Sequence, residues 1–123
     1  VRIRAKFWLE SNQGGFLLGP GTLRLLLAVE EQGSLKAGAR AIRLGYRTAW
    51  ARLNRAEEAL GFPLLERHSG GEGGGGSTLT PEALELVERY RRFLQGLEEE
   101  LEARFERVFG DWVSKSAPVK LVQ

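Results

Sequence analysis

The stretch from Gly33 to Gly61 constrains this chain most, because it reads as two helices held together by a tight turn at Leu44-Gly45. Gly33 stops whatever precedes it, and Ser34 supplies an N-cap hydroxyl for a short helix through about Ile42. Leu35, Gly38, Ala39 and Ile42 fall on the inner face of that helix. The small residues Ala37, Gly38, Ala39 and Ala41 allow another helix to approach closely. The next helix runs from Tyr46 to about Leu60, with Ala49, Leu53, Ala56 and Leu60 as its inward stripe. Gly61-Phe62-Pro63 ends it.

Charge is segregated along the same stretch. Residues 1–68 hold eleven Lys/Arg against six Asp/Glu, a balance of +5, whereas residues 69–123 hold seven against ten, a balance of −3. From Ser34 to Arg55 there are six basic residues (Lys36, Arg40, Arg43, Arg47, Arg52 and Arg55) and no acid. A solvated face of no particular purpose usually interleaves signs. One sign alone creates a local field that attracts phosphate.

The flanks complete the outline. Residues 2–9 alternate between polar and apolar, which predicts a strand. Ser11 to Gly15 is turn chemistry, and Phe16-Leu17-Leu18 can return as a second strand. A helix is expected from about Thr22, as N-cap, to Gln32. Downstream, Leu64–Arg67 and Ser77–Thr80 can pair as short strands around the glycine-rich tip His68–Gly76. Thr80-Pro81-Glu82 then opens a long helix, with Thr as N-cap and Pro at the first helical position. Its apolar residues Leu84, Val87, Leu94, Leu97, Leu101, Phe105 and Val108 are spaced in threes and fours, as in a helix-pairing seam.

The predicted fold is therefore mainly α with small β-hairpins: a winged helix-turn-helix with a long C-terminal dimerisation helix. Residues 1–110 form the expected DNA-binding domain and 111–123 a C-terminal tail. A major groove accommodates one α-helix. With Ala49, Leu53 and Ala56 inward, roughly 100° per residue turns Arg47, Ala51, Asn54 and Arg55 outward, with Thr48 beside them. Arg47 and Arg55 can pair with guanine or grip phosphate, Asn54 can pair with adenine, and Ala51 permits close approach. Ser34 and Gly45 start helices whose first amides can meet phosphate, and Lys36 lies in the first turn of the earlier one. Tyr46 faces the expected groove, while Trp50 is expected to pack under the N-terminal hairpin. On the wing, Arg67 supplies charge, with His68 beside it. The glycine run is no nucleotide-binding loop, because Gly76 stands where such a loop needs Lys before Ser77.

Gly33-Ser34-Leu35 with Gly38-Ala39, followed by Tyr46-Arg47-Thr48-Ala49-Trp50, resembles the helix-turn-helix of LysR-type regulators. The run Pro63-Leu64-Leu65-Glu66-Arg67, then Gly70-Gly71-Glu72-Gly73-Gly74-Gly75-Gly76 and Leu79-Thr80, is similar to the wing of the ModE molybdate-responsive regulator family, a far rarer pattern. The likeness covers residues 2–109. It implies a homodimer whose interface is built by the helices near Thr22–Gln32 and Pro81–Phe109, through Leu23, Leu26, Leu27, Val87, Leu94, Leu97, Leu101 and Phe105. Two recognition helices would then enter successive major grooves about 34 Å apart. The family's DNA-reading positions fall on Tyr46, Arg47, Thr48 and the outer residues of the same helix.

Two departures stand out. Gly45 occupies a position where that family usually has Ser. The family also continues into C-terminal oxyanion-binding modules, so the molybdate-binding domain is expected to be absent. That leaves either another sensing route or a separate oxyanion-binding protein as partner.

The expected function is sequence-specific DNA binding by a transcriptional regulator, and the resemblance alone adds genes of molybdate transport or molybdenum metabolism. The competing reading is a winged-helix protein-interaction module that dimerises through its long helix and never touches DNA. The absence of Cys and the single histidine, His68, leave no thiol chemistry and little scope for a metal site. No catalytic residue, cofactor or metal is expected, and Glu98-Glu99-Glu100 with Glu102 reads as a solvated helix face. No run approaches the roughly 20 apolar residues of a membrane span. A cytoplasmic protein fits.

Overall fold

The computed structural model of the chain describes residues 1–68 and 76–115, with side chains as far as Trp112. The elements run β1 (Leu9–Glu10), β2 (Phe16–Leu18), α1 (Pro20–Gln32), α2 (Leu35–Ala41), α3 (Tyr46–Leu60), β3 (Leu65–His68), β4 (Gly76–Leu79), α4 (Pro81–Leu94) and α5 (Leu97–Lys115). The chain divides into two compact units, Lys6–Glu88 and a second made of Val1–Ala5 with Arg89–Gln123.

Within Lys6–Glu88, α1 packs on α2, α2 on α3, β2 on α3 and β4 on α1. Leu18, Leu25, Leu26, Val29 and Leu64 have no exposed surface and form the centre of the core. Ala49, Leu53 and Ala56 add the inward face of α3 as expected from their spacing. The short N-terminal hairpin is closed by Ser11. Its backbone carbonyl accepts from Gly14 at 2.9 Å, and its Oγ accepts from Gly15 at 2.9 Å.

Helix α1 has its N-cap three residues before the expected Thr22. Pro20 takes its first turn, where a missing N–H costs nothing, and Gly19 is the N-cap. Thr22 is therefore not a cap but a buried first-turn residue, 1% exposed. The inner face is Thr22, Leu25, Leu26, Ala28 and Val29. Leu26, expected at a dimer seam, lies wholly within this core and has no surface left to offer another chain. Leu23 is half-buried and Leu27 exposed.

The rotation of α1 follows from its neighbour. A Cβ on Gly38 of α2 would fall 2.8 Å from the Val29 backbone nitrogen and 2.9 Å from its Cα. The two helices thus meet backbone to backbone, and Val29 must face α2. At the other end of α1, Gly33 adopts φ +86° as C-cap and donates to the Val29 carbonyl at 2.8 Å.

The turn between α2 and α3 is a Schellman arrangement. The Leu44 N–H reaches back to the Ala39 carbonyl at 2.8 Å and the Arg43 N–H to the Arg40 carbonyl at 3.0 Å. The left-handed residue such a turn requires is Arg43, at φ +57°, where glycine is usual.

The wing pairs Leu65 with Leu79, Glu66 with Thr78, Arg67 with Ser77 and His68 with Gly76. The tip, residues 69–75, lies outside the described residues. Carboxylates from the helices hold the two wing strands. Glu57 of α3 accepts from the Leu64 amide at 2.6 Å, and Glu30 of α1 accepts from the Leu79 amide at 3.3 Å. Thr80 caps α4 as expected, accepting from Ala83 at 3.1 Å while its hydroxyl donates to the Pro63 carbonyl at 2.9 Å.

One further expectation is corrected and two are refined. The strand over residues 2–9 shrinks to Leu9–Glu10, because the three-residue β2 and a register irregularity leave only two pairs to form. The long C-terminal helix is punctuated: Gly96 takes φ +79°, so α4 and α5 are separate helices. The boundary at residue 110 falls inside α5, which carries helical backbone on to Lys115, while residues 116–123 lie outside the described residues. Along α5, Phe105 stacks on Phe109 at 5.0 Å between ring centroids, and Phe109 meets Trp112 edge-on at 6.2 Å.

Two substitutions test the helix packing and the turn. Gly38→Ala improves helix propensity yet is expected to destabilise by about 1–3 kcal/mol through overpacking, measured by urea unfolding. Arg43→Gly is expected to do the opposite and stabilise by about 1 kcal/mol, because the left-handed conformation then carries no Cβ penalty. An unchanged or lowered denaturation midpoint would contradict that reading of the turn.

Candidate nucleic-acid interface

Helix α3 is positioned by its inward stripe, which fixes the opposite face toward solvent. Arg47, Thr48, Ala51 and Arg55 are exposed. With Arg52 they line an open hollow of about 300 Å³. Asn54, expected with them, is half-buried and lines none of the hollows described below.

A second hollow, of about 250 Å³, lies where α2, the start of α3 and the wing come together. Ser34, Lys36, Tyr46 and Arg67 line it with Leu35, His68, Gly76 and Ser77. Four residues expected to contact DNA thus converge from three elements far apart in sequence. The convergence depends on the Ser77 amide donating to the Gly33 carbonyl at 2.8 Å, which ties β4 to the start of α2. A Cβ on Gly76 would sit 2.7 Å from that same carbonyl oxygen, so only glycine permits the approach.

Ser34 is the N-cap of α2, its Oγ accepting from Ala37 at 3.0 Å. An accepting hydroxyl keeps its own proton, so Ser34 can still donate outward. Gly45 caps α3 without a side-chain bond, at φ −62° and ψ 144°. His68 Nε2 lies 2.9 Å from Thr78 Oγ1, an exposed cross-strand contact on the wing.

A third hollow, of about 380 Å³, adjoins the second through Lys36 and Tyr46 and is lined also by Arg40, Arg43, Leu44, Gly45 and Ala39. Arg40 and Arg43 were not among the expected contacts, although both belong to the acid-free run and so carried the signal. Arg52, also in that run and outside the expected contacts, lines the hollow on α3. Together the hollows form a band from Arg67 and His68 through Lys36, Arg40 and Arg43 to Arg47, Arg52 and Arg55, and among the described residues no carboxylate lines any of them. Tyr46 stands within the band, 46% exposed. Trp50, expected to pack under the hairpin, keeps 42% of its surface in solvent. A single-signed field over concave surface concentrates anions there.

Of the residues expected at a dimer seam, Val87 is buried along with Leu26, while Leu94, Leu97, Leu101 and Phe105 are half-buried. Phe93, Val108, Phe109 and Trp112 are exposed on the same helices. Among the described residues no group of three or more His, Cys, Asp or Glu could hold a metal ion. No helix among them is long and apolar enough to cross a membrane.

The crystal structure of a BenM DNA-binding domain with its benA site 1 DNA superimposes with a TM-score of 0.53 at 22% identity, covering 74% of this chain and 99% of that one. Among curated proteins, the transcriptional regulator ModE of Haemophilus influenzae is 35% identical over 78 residues, 63% of this chain and 31% of that protein. The molybdenum transport protein ModE of Azotobacter vinelandii is 32% identical over 108 residues, 88% of this chain and 38% of that protein. This chain therefore spans about a third of the length of these relatives. Residues 21–84, the span from α1 to the start of α4, match the model of the bacterial regulatory helix-turn-helix proteins of the lysR family. The chain belongs to that family.

Proposed function

We propose that this chain is the DNA-reading part of a transcriptional regulator of the ModE kind, acting without catalysis. The observation that carries the proposal is the band from the wing to Arg55, lined by cations and by no carboxylate among the described residues. In this reading α3 lies in the major groove. Arg47, Thr48 and Ala51 face base edges, and Tyr46 and Arg55 reach the groove walls. Ser34, Lys36 and Arg67, now joined by Arg40 and Arg43, hold the phosphates on either side. Asn54 is left a lesser part by its partial burial. Relatives named for molybdenum transport support a role at molybdate-related genes.

Two copies read a pseudo-palindromic site in this proposal, paired through α5. Leu97, Leu101 and Phe105 recur on one face of that helix and remain only half-buried within a single chain. Leu23 and Leu27 on α1 have surface free to join the interface, whereas Leu26 does not. Sensing of an oxyanion falls to a further module or a separate protein.

Phosphate contact makes affinity fall steeply with salt. Between 50 and 200 mM salt the loss is expected to be on the order of 10³-fold in a gel shift. No binding to any duplex at low salt would leave the protein-interaction module as the better reading. With an operator selected from random duplexes, Arg47→Ala is expected to weaken operator binding by about 10-fold or more and random DNA far less. An equal loss on both would make Arg47 a phosphate contact. Arg43→Gly, stabilising for the fold, is expected to weaken operator and random DNA alike. Replacing both Leu101 and Phe105 by Asp should turn a dimer into a monomer in sedimentation; an unchanged dimer would contradict pairing through α5.

A further inference from the structure

A fourth hollow, of about 470 Å³, opens between the start of α1 and α3. Lys6, Trp8, Phe16, Pro20, Gly21, Thr22, Arg52 and Arg55 line it, three cations and no carboxylate. The nearest acid on this segment, Glu10, is engaged by the Trp8 indole N–H at 3.0 Å.

Three features of this hollow belong together. The first turn of α1 has no side-chain cap, so the Gly21 and Thr22 amides have no partner within their own helix. The Thr22 hydroxyl, on a residue 1% exposed, is the one buried side-chain polar atom among the described residues with no hydrogen-bond partner. The Arg52 guanidinium also lies over this turn, since a Cβ on Gly21 would come 2.9 Å from its Nη1. A cation at the positive end of a helix dipole is unfavourable by itself. A bare hydroxyl buried in the same place adds a further cost.

One ligand relieves all three. The geometry points to a binding site for a tetrahedral oxyanion of the phosphate class at the N-terminus of α1. The Gly21 and Thr22 amides and the Thr22 hydroxyl donate to it, and Lys6, Arg52 and Arg55 neutralise it. Trp8 and Phe16 wall the hollow and limit its hydration. The anion is either a backbone phosphate of DNA lying beyond the α3 groove or a free oxyanion, and the chemistry of the site is the same for both. Because Arg52 and Arg55 also line the α3 hollow, an occupant here fixes the side chains that border the proposed groove.

The test is an amide NMR titration of the whole chain with inorganic phosphate, against chloride at matched ionic strength. Saturable shifts of the Gly21 and Thr22 amides and the Trp8 indole are expected with phosphate and absent with chloride. Thr22→Val, which keeps shape and removes the hydroxyl, should weaken phosphate binding about 10-fold, the equivalent of roughly 1.4 kcal/mol. Should that variant fail to fold, Lys6→Gln alters only an exposed side chain and should weaken binding several-fold.

A second titration, with duplex DNA, separates the sources. Duplex that shifts the same amides and expels phosphate identifies the DNA backbone as the occupant. Phosphate that stays bound beside saturating duplex identifies a free oxyanion. If Gly21 and Thr22 respond to neither, the inference is overturned, while duplex-induced shifts along α3 would leave the proposed function standing.

Discussion

The carbonyl of Gly33 is the point on which the site depends. Gly33 ends α1 through its left-handed turn, precedes the Ser34 cap of α2, and accepts the Ser77 amide at 2.8 Å. One peptide group therefore sets the end of α1, the start of α2 and the height of the wing. Leu65 and Leu79, opposite each other on the wing, bury their side chains at this junction's base, so the hairpin is fixed by apolar contact as well as by hydrogen bonds. Without that node, Arg67 would have no defined distance to Lys36. The common hollow of Ser34, Lys36, Tyr46 and Arg67 is a consequence of backbone geometry at two glycines, Gly33 and Gly76.

The acids complete the electrostatic arrangement by where they are spent. Glu30 and Glu57 accept from wing-flanking amides and so act as structural acceptors. Hydrogen bonds of amides to a carboxylate are stronger than those between neutral groups, which suits a hairpin with few other anchors. The same use keeps both carboxylates out of the hollows that the cations line. Sign segregation along the sequence thereby becomes sign segregation in space.

Much of this was legible in the residues. Helix α3 was bounded correctly at both ends, because a turn and a Gly-Phe-Pro stop enclose an unbroken inward stripe. The pairing of the wing strands followed from short apolar segments flanking a glycine run, although their register did not, and Ser34 and Thr80 announced themselves as caps. What could not be read was set by tertiary contact. The rotation of α1 depends on Gly38 lying against Val29, and a helical wheel alone cannot choose between Leu23 and Leu25 as the inward residue. The alternation of residues 2–9 satisfies a strand pattern, but a strand also needs a partner of matching length, and β2 is only three residues. Gly96 preserves the apolar spacing on either side of it, so periodicity ran through a position where the backbone turns left-handed. Arg40 and Arg43 were visible as charge. Their place in the band became clear only once the α2–α3 turn was seen.

That turn is also where local preference is most plainly overridden. Arg43 adopts a conformation that glycine adopts at no cost, and two residues later Gly45 caps α3 where a hydroxyl would bond the free amides. Exchanging the two preferences would stabilise both helix ends, by about 1 kcal/mol at the first and a few tenths at the second. Both residues line the same hollow in the middle of the cationic band. Local rules broken side by side at one concave surface indicate a demand other than stability. At position 43 the proposed function supplies that demand, a guanidinium held in the cationic band by the turn. At position 45 the same proposal asks for a helix start with no side chain between its amides and a phosphate. The chain gives up stability at the turn that joins α2 to α3, yet it keeps Gly38 and Gly76 where packing allows nothing larger and Gly33 where φ +86° favours glycine.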